Sequence, residues 1–182
     1  MAVETRVVFA SGFDSLFSKE IRAKLTPAIT AELKAAGVRL DKSFQPAYPI
    51  EVWTAAVDVL CKRLYPEDSM PEACRKLGRS TIVGFCETLV GRALFPLLRL
   101  IGPVRALDRI ERNYAATNNY TKVVLTRVGP TCFDFHLNEK HTMPQFDMGV
   151  LEEALEQLKV ANPRVTLRTQ DAEGFTMRLE WT

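Results

Sequence analysis

The sequence has 182 residues, of which 47% are apolar and 25% are charged, a balance typical of a folded globular protein. This length can bury one substantial core, so we predict a single domain over residues 1–182. The first ten residues carry Glu4 and Arg6 without an apolar core region, so we expect no signal peptide. The four scattered cysteines form no Cys-x-x-Cys pair, which predicts free thiols in a reducing cytoplasm rather than a zinc or redox site.

Helical periodicity dominates residues 1–119, the mainly helical part of the predicted domain. The first four helices are predicted over residues 15–22, 27–37, 50–64 and 69–78. Asp14 is the expected cap of the first helix, and Thr26 with Pro27 is expected to open the second. The third has the clearest apolar face, since Trp53, Ala56 and Leu60 recur at helical spacing.

The chain is predicted to be organised around a central helix over residues 80–101. Nine apolar residues continue the i, i+3, i+4, i+7 spacing along it. They are Ile82, Phe85, Cys86, Leu89, Val90, Ala93, Leu94, Leu97 and Leu98. Pro96 is expected to break or kink this helix. Leu89 lies in the middle of the apolar face, so we expect Leu89→Asp to unfold or aggregate the protein.

The remaining third of the chain alternates like a sheet. After a helix over residues 103–116, strands are predicted over 120–127 and 131–137, then a helix over 146–160, then strands over 165–169 and 175–181. This order predicts an α+β fold, in which an N-terminal helical layer packs on a four-stranded antiparallel sheet with one crossover helix.

The net charge of +2 conceals an uneven distribution. Residues 75–127 carry ten Lys or Arg and three Asp or Glu, whereas residues 128–182 carry five and nine. These blocks pair across the fold or simply lie in solvent, unless the basic block is an anion-binding or partner-docking face. Arg105, Arg109 and Arg112 form a basic stripe at helical spacing, and Arg92 and Arg99 repeat the spacing on the preceding helix. Without a strongly basic domain or a nucleic-acid-binding motif, nucleic-acid binding is not expected.

No motif for catalysis or metal binding stands out. The chain contains no Gly-x-Gly-x-x-Gly, Walker-type or Gly-x-Ser-x-Gly sequence. His136 and His141 lie near Asp134 and Glu139, but two histidines beside a turn do not make a ligand set. We therefore assign no catalytic residue, no metal ligand and no cofactor.

The junction between the helical part and the sheet carries the best candidates for a binding site. We predict that Arg112, Asn118, Asn119 and Tyr120 hold this junction, with the two amides and the guanidinium donating to the last carbonyls of the helix. The same groups could instead line the mouth of a ligand cleft, because clefts form at seams between layers. The predicted ligand-binding residues are Arg92, Arg112, Asn118, Asn119 and Tyr120.

Five blocks of sequence carry a resemblance to a known family. They are Gly-Phe-Asp-Ser-Leu-Phe at 12–17, Pro-Ala-Tyr-Pro at 46–49, Thr-Leu-Val-Gly-Arg-Ala-Leu at 88–94, Arg-Asn-Tyr at 112–114 with Asn-Asn-Tyr-Thr at 118–121, and Pro-Arg-Val at 163–165. Together they resemble a myxobacteria-restricted paralogous family of unknown function.

More distantly, the element order is similar to a fold group of haem nitric-oxide-binding domains, vinyl-reductase-like ligand sensors and vesicle-tethering TRAPP subunits. That similarity implies a ligand or partner held between helices and sheet. No histidine precedes His136 and the Tyr-x-Ser-x-Arg signature is missing, so neither the axial ligand nor the propionate contacts of the haem branch are present. The cysteines that mark the closing hairpin of the vinyl-reductase-like branch are also missing. We therefore expect the protein to carry neither haem nor zinc.

These observations favour a non-enzymatic binding module in a signalling or regulatory role. It would sense a small, partly apolar or anionic ligand, or dock a protein partner, as a homodimer and without a membrane span. The alternatives are an enzyme whose active site the sequence does not reveal, and a structural adaptor with a filled core.

Overall fold

The computed structural model describes residues 5–140 and 143–182. The helices are α1 (Ala10–Leu16), α2 (Lys19–Ala23), α3 (Pro27–Ala35), α4 (Ile50–Leu64), α5 (Met70–Glu87), α6 (Leu89–Ile101), α7 (Pro103–Leu107), α8 (Ile110–Ala115) and α9 (Pro144–Gln157). The strands are β1 (Val7–Phe9), β2 (Ala47–Pro49), β3 (Val123–Gly129), β4 (Cys132–Leu137), β5 (Arg164–Asp171) and β6 (Gly174–Glu180). The predicted α+β class is confirmed, with an additional two-stranded sheet formed by β1 and β2.

The N-terminal helices depart from the sequence pattern at the first, because one helix is predicted over residues 15–22 and the structure has two, α1 and α2. The prediction for α4 is confirmed, and the Thr26 hydroxyl accepts a hydrogen bond from the Ile29 amide to begin α3, at 3.3 Å. The predicted cap at Asp14 is wrong, because α1 begins at Ala10 and Asp14 lies inside it. The cause is tertiary: β1 pairs with β2, and the Ala10 amide donates to the Pro46 carbonyl, which starts the helix early. The hydroxyl of Ser18 caps α2 instead.

The predicted central helix is two helices. Helix α5 passes through Gly78 and ends at Glu87, and α6 leaves it at 98°. The bend is at Thr88, whose backbone is extended and whose hydroxyl accepts the Gly91 amide at 3.0 Å as the cap of α6. Helix α6 continues through Pro96, so of the two effects expected there, a break or a kink, the break is wrong. Pro96 and Arg92 are both exposed, so water can satisfy the carbonyl that the proline leaves without a donor.

The bend reverses the predicted burial of Leu89. Its side chain is 87% exposed, and the inward face of α6 is formed by Gly91, Phe95 and Leu98. Among the described residues no single helix is long and apolar enough to cross a membrane, and α5 with α6 meets that test only as a bent pair.

The C-terminal sheet has the predicted strands and alternation. Its strand order is β3-β4-β6-β5, every neighbouring pair is antiparallel, and α9 crosses between the two hairpins. On β4, Phe133, Phe135 and Leu137 are buried while the residues between them are half-exposed, as a period of two requires. On β6 the buried set is Phe175, Met177 and Leu179.

Helix α9 lies between two hydrophobic cores. Phe146 packs into the core of α1 to α5, whereas Leu151 and Leu155 pack into the core of the sheet. Helices α5 and α9 cross with their backbones in contact at two glycines. A Cβ on Gly78 would lie 2.0 Å from the Phe146 carbonyl oxygen, and a Cβ on Gly149 would lie 2.0 Å from the carbonyl oxygen of Arg75. Only a residue without a side chain allows this approach.

The first prediction tests this crossing. Gly149→Ala should lower the free energy of unfolding by about 1–3 kcal/mol or more, because the added methyl group overlaps the α5 backbone. Chemical denaturation measures the change. Gly129→Ala is the matched control, since a Cβ there meets its nearest neighbour at an ordinary 3.5 Å. Equal stability of the two variants would mean that the helices do not touch at Gly149.

The second prediction tests the bend. Leu89→Asp should change the free energy of unfolding by no more than about 0.5 kcal/mol, because the side chain stays in water. Leu98→Asp, at a position only 5% exposed on the same helix, should unfold or aggregate the protein. Thermal melting of both variants separates the bent arrangement from a single straight helix, in which Leu89→Asp would be the damaging change.

Candidate functional site

A cavity of about 510 Å³ lies at the seam between the helical layer and the sheet layer. Its apolar wall comes from eight elements, including Val8 on β1 and Trp53 on α4. Representative lining residues are Phe85 on α5, Leu94 and Leu98 on α6, Leu107 on α7, Ile110 on α8, Leu137 on β4, and Leu151 and Leu155 on α9. Asp14, Val90 and Asn113 at its rim are exposed, so the cavity opens to solvent between α1, α6 and α8.

One end of the cavity is polar. Tyr114, Tyr120, Glu139 and Asp147 line it, and both carboxylates are only 6% exposed. The Tyr114 hydroxyl donates to Asp147 Oδ1 at 2.9 Å, and Glu139 Oε1 accepts the Lys140 amide at 2.7 Å. These hydrogen bonds offset part of the free-energy cost of burying the hydroxyl and the two carboxylates.

The environment of this end keeps both tyrosines protonated. Burial, followed by the negative charge and hydrogen bond of Asp147, raises the pKa of Tyr114 well above its usual range. Burial, followed by the charges of Glu139 and Asp147, raises the pKa of Tyr120. The two hydroxyls therefore act as hydrogen-bond donors at neutral pH, not as bases or anionic ligands.

Two of the five residues predicted to bind a ligand line the cavity. Asn118 is 8% exposed, and its Oδ1 accepts the amides of Tyr120 at 3.1 Å and Thr121 at 2.7 Å. Tyr120 is the other lining residue. Asn119 lies outside the cavity and fastens β1, accepting from the Val7 amide at 2.9 Å and donating to the Thr5 carbonyl at 3.0 Å. Arg92 and Arg112 are exposed and are not lining residues, so a role for them in binding stays a prediction.

The junction is held differently from the prediction. Among the described residues, the carbonyls at the end of α8 accept no hydrogen bond from the side-chain amides of Asn118 and Asn119 or from the Arg112 guanidinium. The Ser11 hydroxyl donates to the Ala116 carbonyl at 2.7 Å, and the Phe9 amide donates to the Thr117 carbonyl at 2.8 Å. The donors come from β1 and α1, about a hundred residues earlier in the chain, and local sequence cannot reveal them.

The groups considered for metal binding are dispersed among the described residues. His136 faces away from the core, where its Nδ1 pairs with the Thr176 hydroxyl at 3.1 Å, whereas Glu139 lines the cavity. His141 lies outside the described residues. Cys61 and Cys74 are buried free thiols with their Sγ atoms 3.2 Å apart. Across residues 5–140 and 143–182, no three His, Cys, Asp or Glu side chains cluster as a metal site would require.

Sequence reasoning missed Tyr114, Glu139 and Asp147. Asp147 stands in the first turn of a helix, where an acid is expected for the helix dipole alone. No local pattern showed that its side chain points inward to a tyrosine 33 positions away.

The fold defined by these layers is that of the H-NOX domains. A variant H-NOX protein from K. algicida matches with a TM-score of 0.69 at 12% identity, covering 96% of each chain. An H-NOX protein from S. oneidensis in its Fe(II)NO ligation state matches with a TM-score of 0.63 at 13% identity, covering 96% of this chain and 99% of that chain. An oxygen-binding H-NOX domain related to soluble guanylate cyclases matches with a TM-score of 0.64 at 15% identity, covering 94% of this chain and 92% of that chain. At these identities the similarity establishes the fold alone.

The chain belongs to the family described as protein of unknown function (DUF2378), whose model matches residues 6–182. A search of functionally curated proteins finds no match.

The third prediction separates the junction residues. Asn118→Ala should lower the free energy of unfolding by about 1–3 kcal/mol, because two backbone amides lose their acceptor. Arg112→Ala should stay within about 0.5 kcal/mol, because its side chain is exposed and accepts or donates no hydrogen bond within the described residues. Thermal and chemical denaturation of the two variants provide the comparison. A loss at Arg112 as large as that at Asn118 would contradict this division of roles.

Proposed function

We propose that this protein is a non-enzymatic sensor domain that binds a small, mainly apolar ligand in the cavity between its helices and its sheet. The cavity itself carries the proposal, because a volume of about 510 Å³ lies within the usual range for ligand pockets. Its walls come from both layers of the fold, so a bound ligand would contact α6, α8 and α9 at once. Ligand binding would therefore bias how these elements pack, as a sensor requires.

The lining indicates the character of the ligand. Most of the wall is apolar, and the charged side chains among the described lining residues are Asp14, Glu139 and Asp147, all acidic. An anion would meet two buried carboxylates, and no Lys or Arg is among the described lining residues, which disfavours the anionic alternative. A neutral ligand with one hydrogen-bonding group near Tyr114 fits best, since hydroxyl and amide groups converge there.

The lining does not fit haem. No histidine is among the described lining residues, and the two tyrosines hold their protons, which opposes a phenolate ligand to iron. The haem propionates would find no Arg or Lys among those same residues. The likeness to H-NOX domains thus supports a cavity in this position and not the cofactor that those proteins carry.

Catalysis has less support than binding. The acidic end joins carboxylates to two tyrosines whose raised pKa values make them poor nucleophiles. A cytoplasmic regulatory role, a homodimer and a protein partner are further parts of the proposal that the fold permits.

The fourth prediction tests the cavity as the binding site. Native mass spectrometry of freshly purified protein should reveal a retained small molecule, or one equivalent of the neutral apolar dye Nile red should bind to protein freed of it. Ala154→Phe places a ring in the cavity and should weaken binding at least about tenfold, while leaving the melting temperature unchanged or higher. The absorption spectrum should show no Soret band.

Ala31→Phe is the matched control, because Ala31 is exposed on α3 and distant from the lining residues. It should bind the ligand or dye like the unmodified protein. Equal binding by the Ala154 variant, or stoichiometric haem in the spectrum, would refute the proposal.

A further inference from the structure

In the basic block of residues 75–127, only side chains near its N-terminal end form ion pairs among the described residues. On α5, Arg75 pairs with Glu152, and Arg79 lies 2.8 Å from Glu153 and 2.6 Å from Glu156. For α5, these contacts confirm that the basic block pairs with the acidic C-terminal block. From α6 to α8 the pattern differs, because Arg92, Arg105, Arg109 and Arg112 are exposed and form no ion pair among the described residues.

These unpaired arginines accompany an exposed apolar face of α6. Four large side chains on this helix protrude into solvent: Leu89 is 87% exposed, Val90 65%, Leu97 59% and Leu100 84%. Ala93 and Pro96, between them, are exposed as well. Together these six residues form what we call the α6 ridge. Single exposed leucines are ordinary, but a ridge along one helix of 13 residues marks an interaction surface.

The helix presents three distinct sides. At 100° per residue, Leu89, Ala93, Pro96 and Leu100 share one side, and Gly91, Phe95 and Leu98 share the opposite, buried side. Arg92 and Arg99 follow one edge of the ridge, two turns apart. Arg99 forms hydrogen bonds to Gln157, whereas Arg92 is exposed beside the leucines. No acidic residue occurs between Glu87 and Asp108, so both charged side chains on α6 itself, Arg92 and Arg99, are basic.

We propose that the α6 ridge docks the protein onto an anionic membrane surface. An apolar side flanked by arginines on a helix held parallel to the protein surface is the arrangement of an interfacial helix, whose leucines enter the headgroup region while its arginines meet lipid phosphates. The arginine stems can lie along the apolar boundary with their charges at the phosphates.

Charge and shape disfavour a second copy of the chain or an acidic protein as the partner of the α6 ridge. In a two-fold dimer that packs the two ridges antiparallel, Arg92 of one copy would approach Arg99 of the other, and like charges repel. An acidic protein partner would need a groove shaped to the ridge, whereas a fluid lipid surface accommodates a convex ridge without a preformed complement. The anionic bilayer is therefore the occupant that the shape and the charge favour together.

The fifth prediction measures vesicle binding by the full-length protein. The protein should cosediment with phosphatidylcholine vesicles containing about 30 mol% phosphatidylglycerol, more weakly with pure phosphatidylcholine, and less as salt is raised. Leu89→Gln combined with Leu100→Gln should weaken this binding at least about tenfold, because two leucine side chains no longer enter the apolar part of the bilayer. Arg92→Gln combined with Arg105→Gln should weaken it several-fold at low salt and little at high salt.

The control is Val124→Gln combined with Leu167→Gln. These residues are 57% and 36% exposed on β3 and β5, so they match the leucines in type but lie outside the ridge. All variants change exposed side chains and should melt like the unmodified protein. The proposal is overturned if the unmodified protein ignores anionic vesicles, if neutral vesicles bind it equally, or if the control loses as much binding as the ridge variant. It is also overturned if sedimentation without vesicles shows a dimer that the Leu89 and Leu100 changes dissociate.

Discussion

The close crossing of α5 and α9 is the contact on which the rest of the structure depends. Gly78 and Gly149 bring the two backbones together, so no side chain separates the helical layer from the crossover helix. At the same crossing, Arg75 forms an ion pair with Glu152 of α9, and Arg79 forms one with Glu153. Surface ion pairs contribute little by themselves, so the glycine contact sets the spacing and the ion pairs favour one register along it. Helix α9 can then complete both hydrophobic cores, with Phe146 in one and Leu151 in the other.

The bend after α5 places the two sides of α6 in different environments. Because α6 leaves at 98°, its inner side cannot pack along α9 for its whole length, and a cavity remains between the layers. Its outer side is pushed into solvent with its leucines. Val90 belongs to both, since it lies on the ridge and at the rim of the cavity. A ligand in the cavity and a surface against the ridge would therefore act on the same short helix, which offers a physical route from binding to output.

The polar end of the cavity explains why a shared fold need not mean a shared cofactor. H-NOX structures and this chain agree in layers and topology, but the side chains that line the cavity here are aliphatic, aromatic and acidic. Two tyrosines and two buried carboxylates form its polar end. The fold supplies the space, and the lining residues decide what can occupy it.

Sequence alone determined what depends on local periodicity. It predicted α4 to the residue, the alternation of β4 and β6, the order of strands around α9, and Asn118 with Tyr120 as residues at the seam. It failed where distant segments decide the outcome. Leu89 and Leu98 lie on opposite sides of α6, and the bend at Thr88 decides that the Leu98 side faces the core and the Leu89 side faces solvent. Likewise Tyr114 and Asp147 meet only because the α5–α9 crossing places α9 opposite α8, a contact between segments that no repeat within either one encodes.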